Sequence, residues 1–280
     1  MAEAQLSDGS SINVLTWGDG PAILLPIGTA VVEGEQAEQM RAWGVDPASG
    51  HTLATSLAGA GFRVITADYE GHVMAHPRPY DLGPPTLAAD LLAIADAGGA
   101  GRFAYYGYSW LALAGLQLAL RTDRLTGLAM GGFPPIDGPY AAMLTVTRAT
   151  HRMAVENAAN PPGPATTPEP GDWDSGAVTL TPGQARQFVT LYESLAGFDD
   201  HAVRLTIPRL AFAGEKDDIQ YGVRWDDAYV EIGTPLAAGR DELAAGGWQV
   251  EVIPGADHVA AMQSGVVLPI LLPWLLRTFP

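Results

Sequence analysis

Three residues of this chain stand where nucleophilic catalysis would need them, each just past a strand-like run. The first is Ser109, in the segment Gly107-Tyr108-Ser109-Trp110-Leu111 between an apolar strand and an apolar helix. A serine on a tight strand-to-helix turn exposes its hydroxyl beside the free N–H groups of the helix, and a small residue two positions earlier leaves room for the turn. Gly107 is that small residue. The position two after such a serine is usually Gly or Ala; here it is Leu111, with Ala112 next. A serine that only caps a helix would have the same setting.

The second residue is an acid. Arg209 to Ala213 reads as a strand and runs into Gly214-Glu215-Lys216-Asp217-Asp218. That places a carboxylate beyond a strand's carboxyl end, where open α/β sheets put their sites. Asp217 is the preferred acid, with Asp218 and Asp137 as alternatives that the sequence leaves open. Neighbouring side chains cannot both face one pocket, so one of Asp217 and Asp218 is expected to point away. The third residue is His258, after the strand-like run Gln249 to Ile253 and the loop Pro254-Gly255-Ala256-Asp257. An imidazole within reach of the serine acts as general base when an acid holds its other nitrogen. The order serine, acid, histidine, each after a strand, is that of one hydrolase architecture.

Other chemistries find less support. His72 and His76 are four apart, a zinc-ligand spacing on a helix, but Pro77 and Pro79 argue against a helix there and no HExxH motif completes it. No metal is expected. No GxGxxG in a strand-to-helix context and no GxxxxGK[ST] loop occurs, so nucleotide fingerprints are absent. The chain has no cysteine, which removes disulfides, thiolate nucleophiles and cysteine-held metals.

The elements that must position these residues alternate between strand and helix, which predicts a parallel sheet with helices on both faces. Ile12 to Trp17 reads as a strand, joined through the Asp19-Gly20 turn to the apolar run Ala22 to Ile27 as a hairpin. Helical composition over His51 to Ala60 precedes the strand Phe62 to Tyr69, and Thr86 to Ala97 has a period near 3.6. Phe103 to Tyr108 and Leu125 to Gly131 are further strands flanking a buried helix from Trp110 to Leu120, and a last helix spans about Val259 to Thr278. Between residues 136 and 204 the alternation stops: two helical stretches, Ala141 to Asn157 and Thr181 to Leu195, flank the proline-rich run Pro161 to Asp174, which reads as a loop of a lid. The expected organisation is a core of residues 1–135 and 205–280, with residues 136–204 as a helical cap inserted after the sixth strand.

Composition agrees with one folded unit. In 280 residues there are 15 Lys plus Arg against 31 Asp plus Glu, a net charge of −16, which rules out a basic nucleic-acid footprint. Apolar residues make up 48% and charged ones 16%, which excludes disorder. The N-terminal segment lacks the basic and apolar regions of a signal peptide, so a cytoplasmic protein is expected. The longest apolar stretch, Val266 to Leu276, is broken by Pro269 and Pro273, and falls short of the roughly 20 residues that a membrane span needs. No membrane partner is expected, and a homodimer is compatible with the sequence.

The placement of Ser109, Asp217 and His258 resembles that of the α/β-hydrolase superfamily over nearly the whole chain. The resemblance implies a mostly parallel central sheet flanked by helices, no cofactor, and a small-molecule substrate. It implies that His258 takes the Ser109 proton, Ser109 attacks a carbonyl, and water later cleaves the acyl-enzyme. The family's oxyanion loop follows the third strand, usually with His-Gly; the matching segment here is Leu25-Pro26-Ile27-Gly28-Thr29, so the backbone donors implied are Thr29 and Trp110. Asp68-Tyr69-Glu70-Gly71 likewise resembles the family's Asp-x-x-Gly turn after the fourth strand. Haloalkane dehalogenases and epoxide hydrolases share this scaffold but use an Asp at the elbow, so Ser109 argues against both. An apolar, aromatic pocket is expected from Tyr108, Phe133, Val32, Met40, Trp43 and Met143. Such a lining in an acidic protein favours neutral, moderately hydrophobic esters or lactones. Carbon–carbon bond hydrolysis, perhydrolysis, a cofactorless lyase reaction on the same triad, or a non-catalytic binding role stand as alternatives.

Overall fold

The structure is a computed structural model that describes residues 2–161 and 178–279. Among the described residues ten strands form in chain order: β1 (Ala2–Gln5), β2 (Ser11–Trp17), β3 (Ala22–Leu25), β4 (Arg63–Thr66), β5 (Phe103–Tyr108), β6 (Leu125–Gly131), β7 (Arg209–Gly214), β8 (Asp218–Gln220), β9 (Tyr229–Glu231) and β10 (Trp248–Ile253). Eight make one sheet in the order β1-β2-β4-β3-β5-β6-β7-β10, parallel from β4 to β10, with β1 and β2 antiparallel at one edge; β8 and β9 form a separate antiparallel ribbon.

The short interior strands are apolar on both faces because helices cover both. Period-two alternation sends Leu24, Ile65, Phe103 and Tyr105 to one core, beneath helices Pro84–Ala97 and Trp110–Ala119. Ile23, Leu25, Val64, Ala104 and Tyr106 face the other, with helices Ser49–Gly59 and Ser264–Thr278. The chain's carboxyl-end loops after β5, β7 and β10 carry the three residues singled out above.

Three expectations change. The second and third strands do not pair as a hairpin: β4 lies between them, antiparallel to β2 and parallel to β3. An apolar strand without polar alternation is most stable with both edges paired, and β3 gains β4 and β5 as parallel neighbours. The Asp19-Gly20 turn instead packs on the next loop, where a Cβ at Gly20 would sit 2.2 Å from the Gly61 carbonyl oxygen. The last helix is broken into His258–Ala261 and Ser264–Thr278, because Gln263 is extended and caps the second piece. A short helix does form at Tyr69–Ala75, ending before Pro77, with Asp68 accepting a hydrogen bond from the Gly71 amide at 3.0 Å. It brings the His72 and His76 rings to 4.7 Å, but His72 Nε2 bonds Ser10 Oγ at 2.8 Å. Among the described residues no group of three or more His, Asp or Glu is placed to hold a metal ion, and no helix is long and apolar enough to cross a membrane.

Between β6 and β7 the chain forms helices Tyr140–Ala159 and Pro182–Ser194, which pack on each other. Most of the proline-rich run lies outside the described residues. The second of these helices is fastened to the body by polar contacts. Gln187 accepts from the Arg78 amide at 3.1 Å, Gln184 Nε2 donates to Met74 O at 2.7 Å, and Thr190 Oγ1 donates to Pro79 O at 2.6 Å. Beneath them the Arg78 guanidinium meets the fully buried Asp90 carboxylate at 2.6 Å, and Asp90 also accepts from Tyr69 OH at 2.6 Å and from the Ser7 amide at 2.8 Å. Both oxygens of the buried Asp90 carboxylate thus have donors, as burial of charge requires.

Candidate active site

The turn at Ser109 is strained. Its φ of 56° and ψ of −129° put a non-glycine residue in a sparsely populated region, while the Ser109 amide donates to Gly131 O at 2.8 Å and so continues the β5–β6 pairing past the strand end. The helix then starts at once with Trp110. Gly107 is required by close approach: a Cβ there would lie 2.3 Å from the Leu111 carbonyl oxygen. That same oxygen accepts from the Tyr105 hydroxyl at 2.7 Å, and Leu111's side chain is buried in the core. Leu111 through Leu118 are all buried, so the elbow stands on a helix packed into the core. Trp110 N–H, first in the helix, has no intrahelical acceptor. The Trp110 indole packs edge-on against Phe188 at 5.5 Å and donates to Glu70 Oε1 at 3.2 Å.

The acid and the histidine come from adjoining parallel strands. Asp217 is fully buried after β7, and its Oδ1 lies 2.7 Å from His258 Nδ1. The loops that carry them are locked together: the Lys216 amide donates to Ala256 O at 2.9 Å, the Glu215 amide to Ile253 O at 2.9 Å, and the Gly233 amide to Asp217 O at 2.8 Å. A Cβ on Gly214 would lie 2.2 Å from Ala256 O, so only glycine permits this closeness. Asp218 points elsewhere and accepts from the Ile232 amide at 2.7 Å and the Thr234 amide at 3.2 Å. Asp137 faces His201 Nε2 at 2.9 Å. The structure therefore pairs Asp217 with the histidine.

Tyr108 holds His258 from below. Its ring lies 5.1 Å from the imidazole, and its hydroxyl donates to His258 O at 2.8 Å. Burial, and then the neighbouring Asp217 carboxylate, push this phenol far above its usual range, so it stays a donor. Asp217 Oδ2 is buried with no hydrogen-bond partner among the described residues. Among the described residues the Ser109 hydroxyl makes no hydrogen bond; such contacts are commonly long before substrate binds and tighten in the reacting complex.

A cavity of about 200 Å³ opens over Ser109 and Trp110. Phe133 and Met143 line it, as do Phe188, Tyr192, Thr147 and Thr150. The last four were not singled out in the sequence, although Met143, Thr147 and Thr150 share one helix face and Ala185, Phe188 and Tyr192 another, a spacing that carries the signal. Of the other residues expected in the pocket, Trp43 lines a second cleft with His258, Tyr108 sits under the imidazole, and Val32 and Met40 line neither concavity. Thr29 lies in a groove with Gly28 and Asp68, in the loop after β3. Gly28 is pinned there, since a Cβ on Gly50 would lie 2.0 Å from its carbonyl oxygen.

No protein-family model and no curated protein matches the chain in sequence. Solved structures match it over nearly its full length. A thermophilic esterase from Thermogutta terrifontis is 18% identical with a TM-score of 0.58, covering 99% of this chain and 98% of its own. The epoxide hydrolase VrEH1 from Vigna radiata is 14% identical with a TM-score of 0.59, covering 99% and 97%. Epoxide hydrolase A from Mycobacterium thermoresistibile is 19% identical with a TM-score of 0.57, covering 98% of each chain. At such identities the likeness is one of fold.

Proposed function

We propose that this chain, which has the α/β-hydrolase fold, is a cofactor-free serine hydrolase acting on a carboxylic ester or lactone of a neutral, moderately hydrophobic small molecule. The observation that carries the reading is the fully buried Asp217 carboxylate 2.7 Å from His258 Nδ1, with that histidine packed on the residue preceding a strained Ser109. A carboxylate in that position fixes the imidazole's orientation and steadies the imidazolium that forms when the serine proton is taken. Ser109 is then the nucleophile, His258 the base and later the acid, and Asp217 the orienting group. The amides of Trp110 and Thr29 are assigned to the developing oxyanion. Residues 136–204 act as the cap, supplying Met143, Phe188 and Tyr192 to the cavity.

An elbow serine suits acyl transfer through an ester intermediate with Ser109. Epoxide opening through an elbow carboxylate has no matching residue at this position. The test is hydrolysis of 4-nitrophenyl acetate and butanoate by wild type, Ser109→Ala and Asp217→Asn. Turnover should fall to background with Ser109→Ala and by about 10³-fold or more with Asp217→Asn. Turnover by Ser109→Ala at the wild-type rate would overturn the reading.

A further inference from the structure

Ser109 and His258 line different concavities. Ser109 lines the cavity of about 200 Å³ and His258 does not; His258 lines a separate cleft of about 530 Å³ and Ser109 does not. Tyr108, which precedes Ser109, packs its ring against the imidazole at 5.1 Å. The two concavities differ in chemistry. The first is walled by Phe133, Met143, Phe188 and Tyr192. The second is walled by Trp43, Lys216, Asp218, Gln220 and Asp257.

In the second cleft Asp218 is committed to the fold through both carboxylate oxygens, and Asp257 through one. Asp218 accepts from the Ile232 and Thr234 amides, and Asp257 caps the helix at His258 by accepting from the Ala260 amide at 2.8 Å. Lys216 is the chain's sole lysine, and its ammonium has no acid partner among the described residues. Among the described residues the cleft therefore offers a donor, the Lys216 ammonium, beside acceptors without a hydrogen bond in Asp257 Oδ2 and Gln220 Oε1, a set that suits hydroxyl groups.

The reaction itself sorts the two arms of an ester. Ser109 Oγ bonds the carbonyl carbon while its proton passes to His258 Nε2. The tetrahedral adduct then breaks its carbon–alkoxide bond, and the same proton moves to the departing alkoxide oxygen. Acyl-Ser109 and a neutral alcohol result, and water, deprotonated by His258, later releases the acid. The alcohol must leave on the histidine's side, and the acyl group must stay on the serine's. We infer that the cavity over Ser109 is the acyl subsite and the cleft beside His258 the alcohol subsite, so that the substrate joins a short apolar acid to a neutral, hydroxylated alcohol. Lys216 donates to that alcohol's hydroxyl oxygens. A cavity of about 150 Å³ holds a benzene ring, so 200 Å³ suits an acyl group of about that bulk. This assignment rests on the serine-hydrolase reading above.

The test compares glyceryl and propyl esters of butanoic, octanoic and dodecanoic acids. Wild type should favour butanoate over dodecanoate about ten-fold or more in kcat/KM, and glyceryl over propyl about five-fold. Phe188→Ala should move the acyl optimum toward octanoate and leave the glyceryl-to-propyl ratio unchanged; Met143→Ala, on the facing helix, makes the same test should the first variant fail to fold. Lys216→Met should lower the glyceryl-to-propyl ratio about five-fold. It should leave the acyl ranking and the breakdown rate of the acyl-enzyme formed from 4-nitrophenyl butanoate unchanged, because the alcohol has gone by then. A Lys216→Met enzyme whose acyl-enzyme breaks down more slowly, or a Phe188→Ala enzyme whose alcohol preference shifts in place of its acyl preference, would overturn the assignment while leaving the Ser109-dependent turnover intact. Turnover that survives Ser109→Ala would overturn both readings.

Discussion

Replacing the elbow serine by glycine should make the protein more stable than replacing it by alanine. Ser109 holds φ at 56° and ψ at −129°. An L-residue in such a sparsely populated region costs about 1–3 kcal/mol, which the surrounding sheet and helix must overcome. Alanine keeps a Cβ and hence the strain; glycine removes it but gives the unfolded chain more freedom, worth roughly 0.4–1 kcal/mol. Neither variant loses a cap, because the Ser109 side chain makes no capping hydrogen bond. The net expectation is that Ser109→Gly exceeds Ser109→Ala by about 1 kcal/mol. With an unfolding entropy of roughly 2.1 cal/mol/K per residue, 280 residues give about 0.6 kcal/mol/K, so the Tm difference is about 2 °C. Scanning calorimetry of the two variants at pH 7 measures it. A Ser109→Gly protein that melts at or below Ser109→Ala would refute strain at the elbow, and with it the argument that the fold holds this serine against its own preference.

Gly107→Ala forces a Cβ to 2.3 Å from the Leu111 carbonyl oxygen and should destabilise by about 3 kcal/mol in urea titration; Gly59→Ala, whose Cβ meets nothing, should stay within about 0.5 kcal/mol of wild type. Arg78→Met strands the buried Asp90 carboxylate and should cost about 3–5 kcal/mol, with at least half recovered in the Arg78→Met, Asp90→Leu double variant; a single-variant loss under about 1 kcal/mol would refute this. His201 is pushed up to about 8, first by its hydrogen bond to Asp137 and then by that to Glu242. A histidine raised above its ordinary 6.5 adds stability that is fully present below that pH and is lost as pH rises through 8. At this half-exposed site solvent screening leaves only a few tenths of a kcal/mol, so thermal melts from pH 6 to 9 should show a shallow decline that His201→Gln removes.

Much of the scaffold is legible in local sequence. The strands Phe103–Tyr108 and Leu125–Gly131 end where their apolar runs end, and the Gly107-to-Leu111 segment announces a turn through its glycine. The order of strands is not legible locally: whether β3 pairs with β2 or β4 depends on partners some forty residues apart, and the Asp19-Gly20 turn points to the wrong one. Choosing Asp217 over Asp218 also needs three dimensions, since the contact of Asp217 with His258 and the Ile232 and Thr234 amides that hold Asp218 elsewhere come from distant parts of the chain. Phe188 and Tyr192, over Ser109, come from a helix fastened to the body by Gln187, Gln184 and Thr190, residues with no motif around them. Trp43, expected over the serine, lies in the cleft beside His258, because the long loop after β3 passes on the histidine's side.

The measurement that bears most directly on the central claim is the intact mass of the protein after exposure to a fluorophosphonate that labels activated serines, for wild type, Asp217→Asn and Ser109→Ala. One adduct on wild type, slower labelling of Asp217→Asn and none on Ser109→Ala is the expected result. A folded wild type that takes no adduct, or an adduct that persists in Ser109→Ala, would contradict the assignment of Ser109 as the activated nucleophile.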